Sequence, residues 1–151
     1  RLNQSGSELS VAKQQNVAVL FADIVGFTKL CERASAQEVI DLLRGYHDRL
    51  GDAVFANNGT LDKYIGDGLM ATFGTPDVTP EDPSNAFSCA FEMIAAVDQW
   101  NVERRNKGLA PVQGGLGLHW GPVVVGDIGN DRRLEHGVIG DTVNTASRLE
   151  H

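Results

Sequence analysis

Cysteine is scarce in this chain, long apolar runs are missing, and basic residues are outnumbered. Among 151 residues there are only two cysteines, Cys31 and Cys89, and both fall in apolar stretches with helical spacing. Two reduced, buried thiols are expected there rather than a disulfide, which points to a cytoplasmic setting. No apolar run comes near the roughly 20 residues of a membrane span, so no membrane contact is expected of this piece. With 13 Lys and Arg against 20 Asp and Glu the formal charge is −7. That balance argues against a partner made of nucleic acid, whose phosphates call for a net basic face. No internal repeat is visible. What is present, at 42% hydrophobic content, suffices for one globular domain with a real core but not for two.

The chain starts at Arg1, and RLNQSGSELSVAKQQ is polar with little periodicity. Residues 1–15 are therefore expected to be a linker from a longer protein, with the domain occupying 16–151. At the far end SRLEH stops just as an amphipathic segment begins, so the domain is expected to be incomplete at its C-terminus.

Residues 16–22 are β-branched and aromatic enough for a buried strand, which Gly26 interrupts. From Ala36 to about Asn57, Val39, Leu42, Leu43, Tyr46, Leu50 and Val54 recur at helical spacing. Ser35 with Glu38 makes a capping box at its start, and Asn58-Gly59 closes it. TLDKYI and LMATFG read as two strands of a hairpin around Gly66-Asp67-Gly68, with Asp-Gly as the turn. After a proline-rich connection over 75–83, Ala86, Cys89, Met93, Ile94 and Val97 mark a second long helix that ends at Gly108. VQGGLGLHWG and PVVVGDIG read as a strand pair joined at Gly121-Pro122, and DTVNTASRLEH as a last helix. This order predicts an α+β sandwich, a ferredoxin-like βαββαβ core whose sheet is mostly antiparallel with helices on one face.

The chemistry centres on FADIVGFT. Asp23 stands at the end of an apolar strand, where a carboxylate loses hydration unless a partner, a cation or a helix terminus replaces it. A turn cap and a metal ligand both satisfy that demand. Asp67 alone would be an ordinary hairpin residue. If the strands beginning near 17 and 61 are neighbours, however, the two acids meet, and paired carboxylates repel unless a cation such as magnesium lies between them. Gly26 then allows a tight turn in which amides from Ile24 to Thr28 form an anion nest, a combination suited to a nucleotide. His119 is expected in the core, Trp100 and Trp120 in the core or at a contact between copies, and His47 on a helix surface.

FADIVGFT, KYIGDGLMATFG, GLHWGPVVVGDIG and VIGDTVNTASRLE together resemble, in order and spacing, the catalytic domain of class III adenylyl and guanylyl cyclases. The resemblance runs from Val17 to Glu150. It implies cyclisation of a nucleoside triphosphate to its 3′,5′-cyclic monophosphate with release of pyrophosphate, in a homodimer with sites at the interface. It further implies that Asp23, Asp67 and the Ile24 carbonyl hold two Mg2+ or Mn2+ ions, and that Gly26, Phe27 and Thr28 lie against phosphate. Asn144 and Arg148 match the family's transition-state pair, Arg132 or Arg133 a phosphate contact, and Lys63 the lysine that reads adenine. ATP is the expected substrate, although Gly137 stands where the family usually places a second base contact, leaving His136, backbone or water to supply it. Guanylate cyclase activity and a non-catalytic nucleotide-sensing or dimerisation module are the alternatives. An upstream regulatory domain in the parent protein completes the expectation.

Overall fold

Strand β1 (Lys13–Ile24) runs through the centre of the protein. The structure, a computed structural model, describes residues 13–127 and 136–139. Val17, Val19 and Phe21 of β1 bury one side against Met70 and Val123, while Ala18, Leu20, Ala22 and Ile24 bury the other beneath the helices. Burial on both faces explains why this strand is continuously apolar instead of alternating. It begins earlier than the apolar run suggests, because its polar first residues, Lys13 to Asn16, already pair with Val125 to Pro122.

After β1 come a single helical turn α1 (Phe27–Leu30), the long helix α2 (Ala36–Ala56), the hairpin β2 (Thr60–Ile65) and β3 (Gly68–Phe73), helix α3 (Asp82–Asn106), and strands β4 (Gly114–Asp127) and β5 (His136–Ile139). The five strands lie in the order β2-β3-β1-β4-β5, each pair antiparallel. Two split βαβ units interlock: β1-α2-β2 leaves a gap that β3 fills, and β3-α3-β4 leaves a gap that β1 fills. The α+β, ferredoxin-like expectation holds, with one correction to its register. β2 is not the neighbour of β1, since the crossover through α2 lands one strand away and the hairpin return takes the place between them.

Local chemistry fixes the helix ends. Ser35 Oγ accepts the Glu38 amide at 3.1 Å and Glu38 Oε1 accepts the Ser35 amide at 2.8 Å, the capping box read from the sequence. Asn58 takes φ +60° and lets the Gly59 amide reach Val54 O at 2.9 Å, which closes α2. Helix α3 starts at Asp82, before the expected position, because Pro83 is tolerated in a first turn where its missing N–H leaves nothing unpaired. The buried Asp82 carboxylate accepts both the amide and the hydroxyl of Thr79.

A further expectation needs correcting. Gly121-Pro122 is no turn but the middle of the 14-residue β4, paired with Val17 and Asn16 of β1. Pairing with β5 begins only at Val124, so a residue without an N–H interrupts no ladder on that side. Trp100 is in the core, with the guanidinium groups of Arg49 and Arg104 at 4.7 and 5.2 Å from its ring, whereas Trp120 is 42% exposed. His119 is half-buried. The helix expected over DTVNTASRLEH lies outside the described residues.

Gly68 is where β3 passes closest to β1: an added Cβ would stand 2.3 Å from Ala22 O. Gly68→Ala is expected to lower unfolding stability by about 1–3 kcal/mol in urea titration, as overpacking against backbone does. Gly51, in mid-helix with open space around it, supplies the contrast. Gly51→Ala should raise stability by about 0.5–1 kcal/mol. The two thiols are also distinct, since Cys31 is half-buried and Cys89 fully buried. Burial, with help from the charge of Glu92, pushes the Cys89 thiol up to about 12. Its protonated form is thus favoured by folding, a contribution complete below pH 9 and lost as pH rises from 9 towards 12. A thiol reagent at pH 8 should label Cys31 alone in the native protein and both cysteines in denaturant; native labelling of Cys89 would contradict this burial.

Candidate active site

The site forms where β1 ends beside the β2–β3 turn. Gly66 and Asp67 are the two central turn residues, with Ile65 and Gly68 paired across them. Gly66 takes φ +59°, the conformation that a hairpin with glycine at its first central position requires. The turn is therefore Gly-Asp and not the Asp-Gly read from the sequence, and Gly68 is already strand. This displacement aims Asp67 at β1. Its Oδ2 accepts the Ile24 amide at 2.8 Å, and its Oδ1 has no protein partner among the described residues.

Asp23 is one residue earlier on β1, half-buried. A Cβ built on Gly68 would lie 3.0 Å from Asp23 Cβ, which shows that the Asp23 side chain leaves its strand beside the turn carrying Asp67. The structure thus brings together the two acids singled out from the sequence, with the Ile24 backbone between them. Two carboxylates and a strand-end carbonyl are hard oxygen donors, the set that Mg2+ and Mn2+ accept while retaining waters or phosphate oxygens. No group of three or more His, Cys, Asp and Glu that could hold a metal is found among the described residues, so water and a phosphate-bearing ligand would have to complete the shell.

Gly26 follows in the left-handed region at φ +67° and turns the chain into α1. The expected nest of amides from Ile24 to Thr28 is smaller than foreseen. The Ile24 amide is taken by Asp67 and the Val25 amide by Gln113 O at 2.8 Å. Gly26, Phe27 and Thr28 retain the donors that a first helical turn leaves without intrahelical partners. Phe27 anchors this turn by packing on the core, and Thr28 is exposed.

Lys63 lies on β2, at the sheet edge formed by the described strands. A bulge between Leu61 and Lys63 leaves Asp62 as the extra residue and brings its carboxylate within 3.6 Å of the Lys63 ammonium. The Lys63 side chain is 57% exposed and that of Asp62 only 11%. The ammonium therefore projects from an acid rooted in the sheet. Asp62 escaped the sequence reading because a bulge leaves no mark in an apolar pattern.

Two other participants were missed. Tyr46, read as a core residue of α2, is fully buried, yet its hydroxyl donates to Asp23 O at 2.7 Å. His47, expected on the helix surface, is half-buried; its ring lies 4.5 Å from that of Tyr64 and its Nε2 is 3.0 Å from Asp67 O. Arg132, Arg133, Asn144 and Arg148 lie outside the described residues, as does the side chain of His136. The backbone of Gly137 is in β5, paired with Gly126.

Comparison with known proteins places this geometry. The family model for the adenylate and guanylate cyclase catalytic domain matches residues 9–151. An adenylate cyclase of Anabaena cylindrica is 37% identical over 149 residues, 95% of this chain and 28% of the relative. The chain spans only 21 to 28% of the length of the first two curated relatives it matches. Among solved structures, the adenylyl cyclase CyaB from P. aeruginosa superposes with a TM-score of 0.86 at 33% identity, over 93% of this chain and 73% of that one. The guanylyl cyclase Cya2 gives 0.85 at 34% identity, over 92% and 71%. The chain belongs to the adenylate and guanylate cyclase catalytic domain family.

Proposed function

We propose that this domain cyclises ATP to 3′,5′-cyclic AMP and pyrophosphate, in a homodimer that shares its active sites. The observation carrying this reading is the bond from the Ile24 amide to Asp67 Oδ2, which holds one acid beside the other while leaving Asp67 Oδ1 for a cation. Asp23, Asp67 and the Ile24 carbonyl would hold two Mg2+ or Mn2+ ions. When bound, such ions lower the pKa of the ribose 3′-hydroxyl and neutralise the triphosphate.

The protein's own groups supply the rest. Amides of Gly26, Phe27 and Thr28 bind phosphate oxygens. The Lys63 ammonium donates to adenine N1, and Asp62 holds it in place. Asn144 orients the ribose, Arg148 stabilises charge on the pentavalent phosphorus, and Arg132 or Arg133 contacts the triphosphate. The 3′-hydroxyl gives up its proton to water, its oxygen attacks the α-phosphorus, and the bond from that phosphorus to the bridging oxygen breaks to release pyrophosphate. No covalent intermediate with the protein forms. Asp23 and Asp67 of one protomer work with Lys63, Asn144 and Arg148 of its partner, so a regulatory domain elsewhere in the parent protein can govern turnover through the way the halves meet.

The preference for ATP over GTP rests on Lys63. Guanine carries a donor at N1, which an ammonium cannot satisfy and an acid can. The relatives divide between enzymes named adenylyl and guanylyl cyclase, so the base is the part of this reading most in need of a direct test.

Product analysis of the full-length parent, with ATP and GTP in separate reactions and Mg2+ or Mn2+ in each, should give cyclic AMP selectively. Lys63→Glu is expected to reverse the ratio of kcat/KM for ATP over GTP by at least about tenfold, the effect of one hydrogen-bonding mismatch. Mixed products from the unmodified protein would assign a larger role to the contact missing at Gly137. Asp23→Ala should abolish cyclisation while dimerisation, followed by sedimentation, persists. Normal turnover by that variant would remove Asp23 from the metal site, and nucleotide binding with no cyclic product would favour a sensing module.

A further inference from the structure

Consecutive residues of α2 hold the main chains of both acids. The Tyr46 hydroxyl donates to Asp23 O at 2.7 Å, and His47 Nε2 meets Asp67 O at 3.0 Å. A carbonyl oxygen can only accept, so Nε2 carries the proton and His47 is the donor. Asp67 Oδ2 then receives the Ile24 amide at 2.8 Å. These bonds close a ring that runs from α2 through Tyr46 to Asp23, along the peptide to Ile24, across to Asp67, and back through His47 to α2.

The surroundings restrict both donors. Tyr46 is fully buried, and a Cβ added at Gly114 would lie 3.1 Å from its hydroxyl oxygen, so this oxygen fits a space that β4 leaves by lacking a side chain. The His47 ring rests against Tyr64 of β2 at a centroid distance of 4.5 Å. Neither aromatic ring can turn far without losing its packing. Asp23 lies near the end of β1 and Asp67 in the β2–β3 turn, with α1, α2 and β2 between them in sequence, and the bond from the Ile24 amide to Asp67 is joined by a common support on α2.

We infer that Tyr46 and His47 are positioning residues for the metal site, setting the separation of the two carboxylates through their backbones from one rigid helix. The inference rests on the proposal that Asp23 and Asp67 hold the metal ions. Neither side chain touches metal or substrate; each acts on a group that does. Outer groups of this kind contribute to metal affinity because a ligand that must first be oriented binds more weakly than one already in place.

The test measures Mn2+ binding to the full-length protein by electron paramagnetic resonance, with 3′-deoxy-ATP, which cannot cyclise, as the companion ligand. His47→Phe keeps an aromatic ring against Tyr64 and removes the donor; Mn2+ affinity is expected to fall about tenfold. His47→Gln, which places an amide donor where Nε2 was, should recover most of it. Tyr46→Phe keeps the core filled and should also weaken Mn2+ binding. Asp67→Asn serves as the reference. Loss of Mn2+ binding in Asp67→Asn together with native affinity in both Phe variants would overturn the positioning role and leave the metal site standing. Retention of binding by Asp67→Asn would overturn the metal assignment and this inference with it. Equal weakening in His47→Phe and His47→Gln would show that ring packing, not the hydrogen bond, is what matters, and would also overturn it.

Discussion

One carboxylate oxygen of Asp67 accepts the amide of Ile24, and much of the site's architecture follows from that contact. β1 pairs with β3 only as far as Ala22, so beyond that point the Ile24 amide is met by Asp67 and not by a strand carbonyl. By accepting it, Asp67 draws its turn onto the strand end and spends half of its carboxylate in doing so. The remaining oxygen is left on the side of the neighbouring Asp23 strand end, where both acids are half-buried. A hydrogen bond to an ionised carboxylate is stronger than one between neutral groups, and an acid so anchored retains its direction. Asp23 is thus tolerated at a strand end because its surroundings are already polar on that side.

The sheet order makes this contact possible. β3 must lie next to β1 for the β2–β3 turn to arrive at Ile24, and the close pass of Gly68 over Ala22 O lets it do so. Helix α2 lies beneath both, fixed at one end by the Ser35–Glu38 box and at the other by Asn58 and Gly59. Lys63 is in a different situation. It extends from a bulged strand with much of its length in solvent, held by Asp62 alone among the described residues. In the function proposed above, an anchored pair of acids and an adaptable lysine would suit different tasks: fixed charge positions for phosphate chemistry, and some freedom for a base that must enter and leave.

Most of the elements were legible in the sequence because their signals are local. The apolar run of β1, the period of α2, its capping box and the Gly108 stop of α3 each depend on neighbours a few residues away. The strand order was only partly legible. A ferredoxin-like pattern names the topology, yet placing residue 61 beside residue 17 overlooked the return strand that takes that position. Gly66-Asp67-Gly68 offers two overlapping two-residue turns, and the choice between them is made by the fit of Gly68 against β1, a tertiary fact. Likewise β4 keeps going through Gly121-Pro122 because β1 is long enough to pair with it throughout. Of the site, Asp23, Asp67 and the glycine turn announced themselves as polar or flexible residues out of pattern. Tyr46 had no such mark, since a tyrosine at a core position of a helix is read for its ring and not its hydroxyl.

The interlocking of the two split βαβ units has a consequence for the order in which the protein can be made. β1 precedes the other described strands in sequence, but its two neighbours both come from the second unit, β3 after α2 and β4 after α3. Neither unit closes its sheet alone. The contacts that define the site are consequently of long sequence separation, and such topologies fold more slowly than helical ones because distant segments must meet before they are rewarded. The bond that joins the Asp23–Ile24 strand end to Asp67 therefore needs the β2–β3 turn to have reached β1, 43 residues further along the chain. A growing chain thus carries Asp23 well before the turn that will stand beside it, and the spacing of the two acids is a property of the assembled sheet and not of either segment alone.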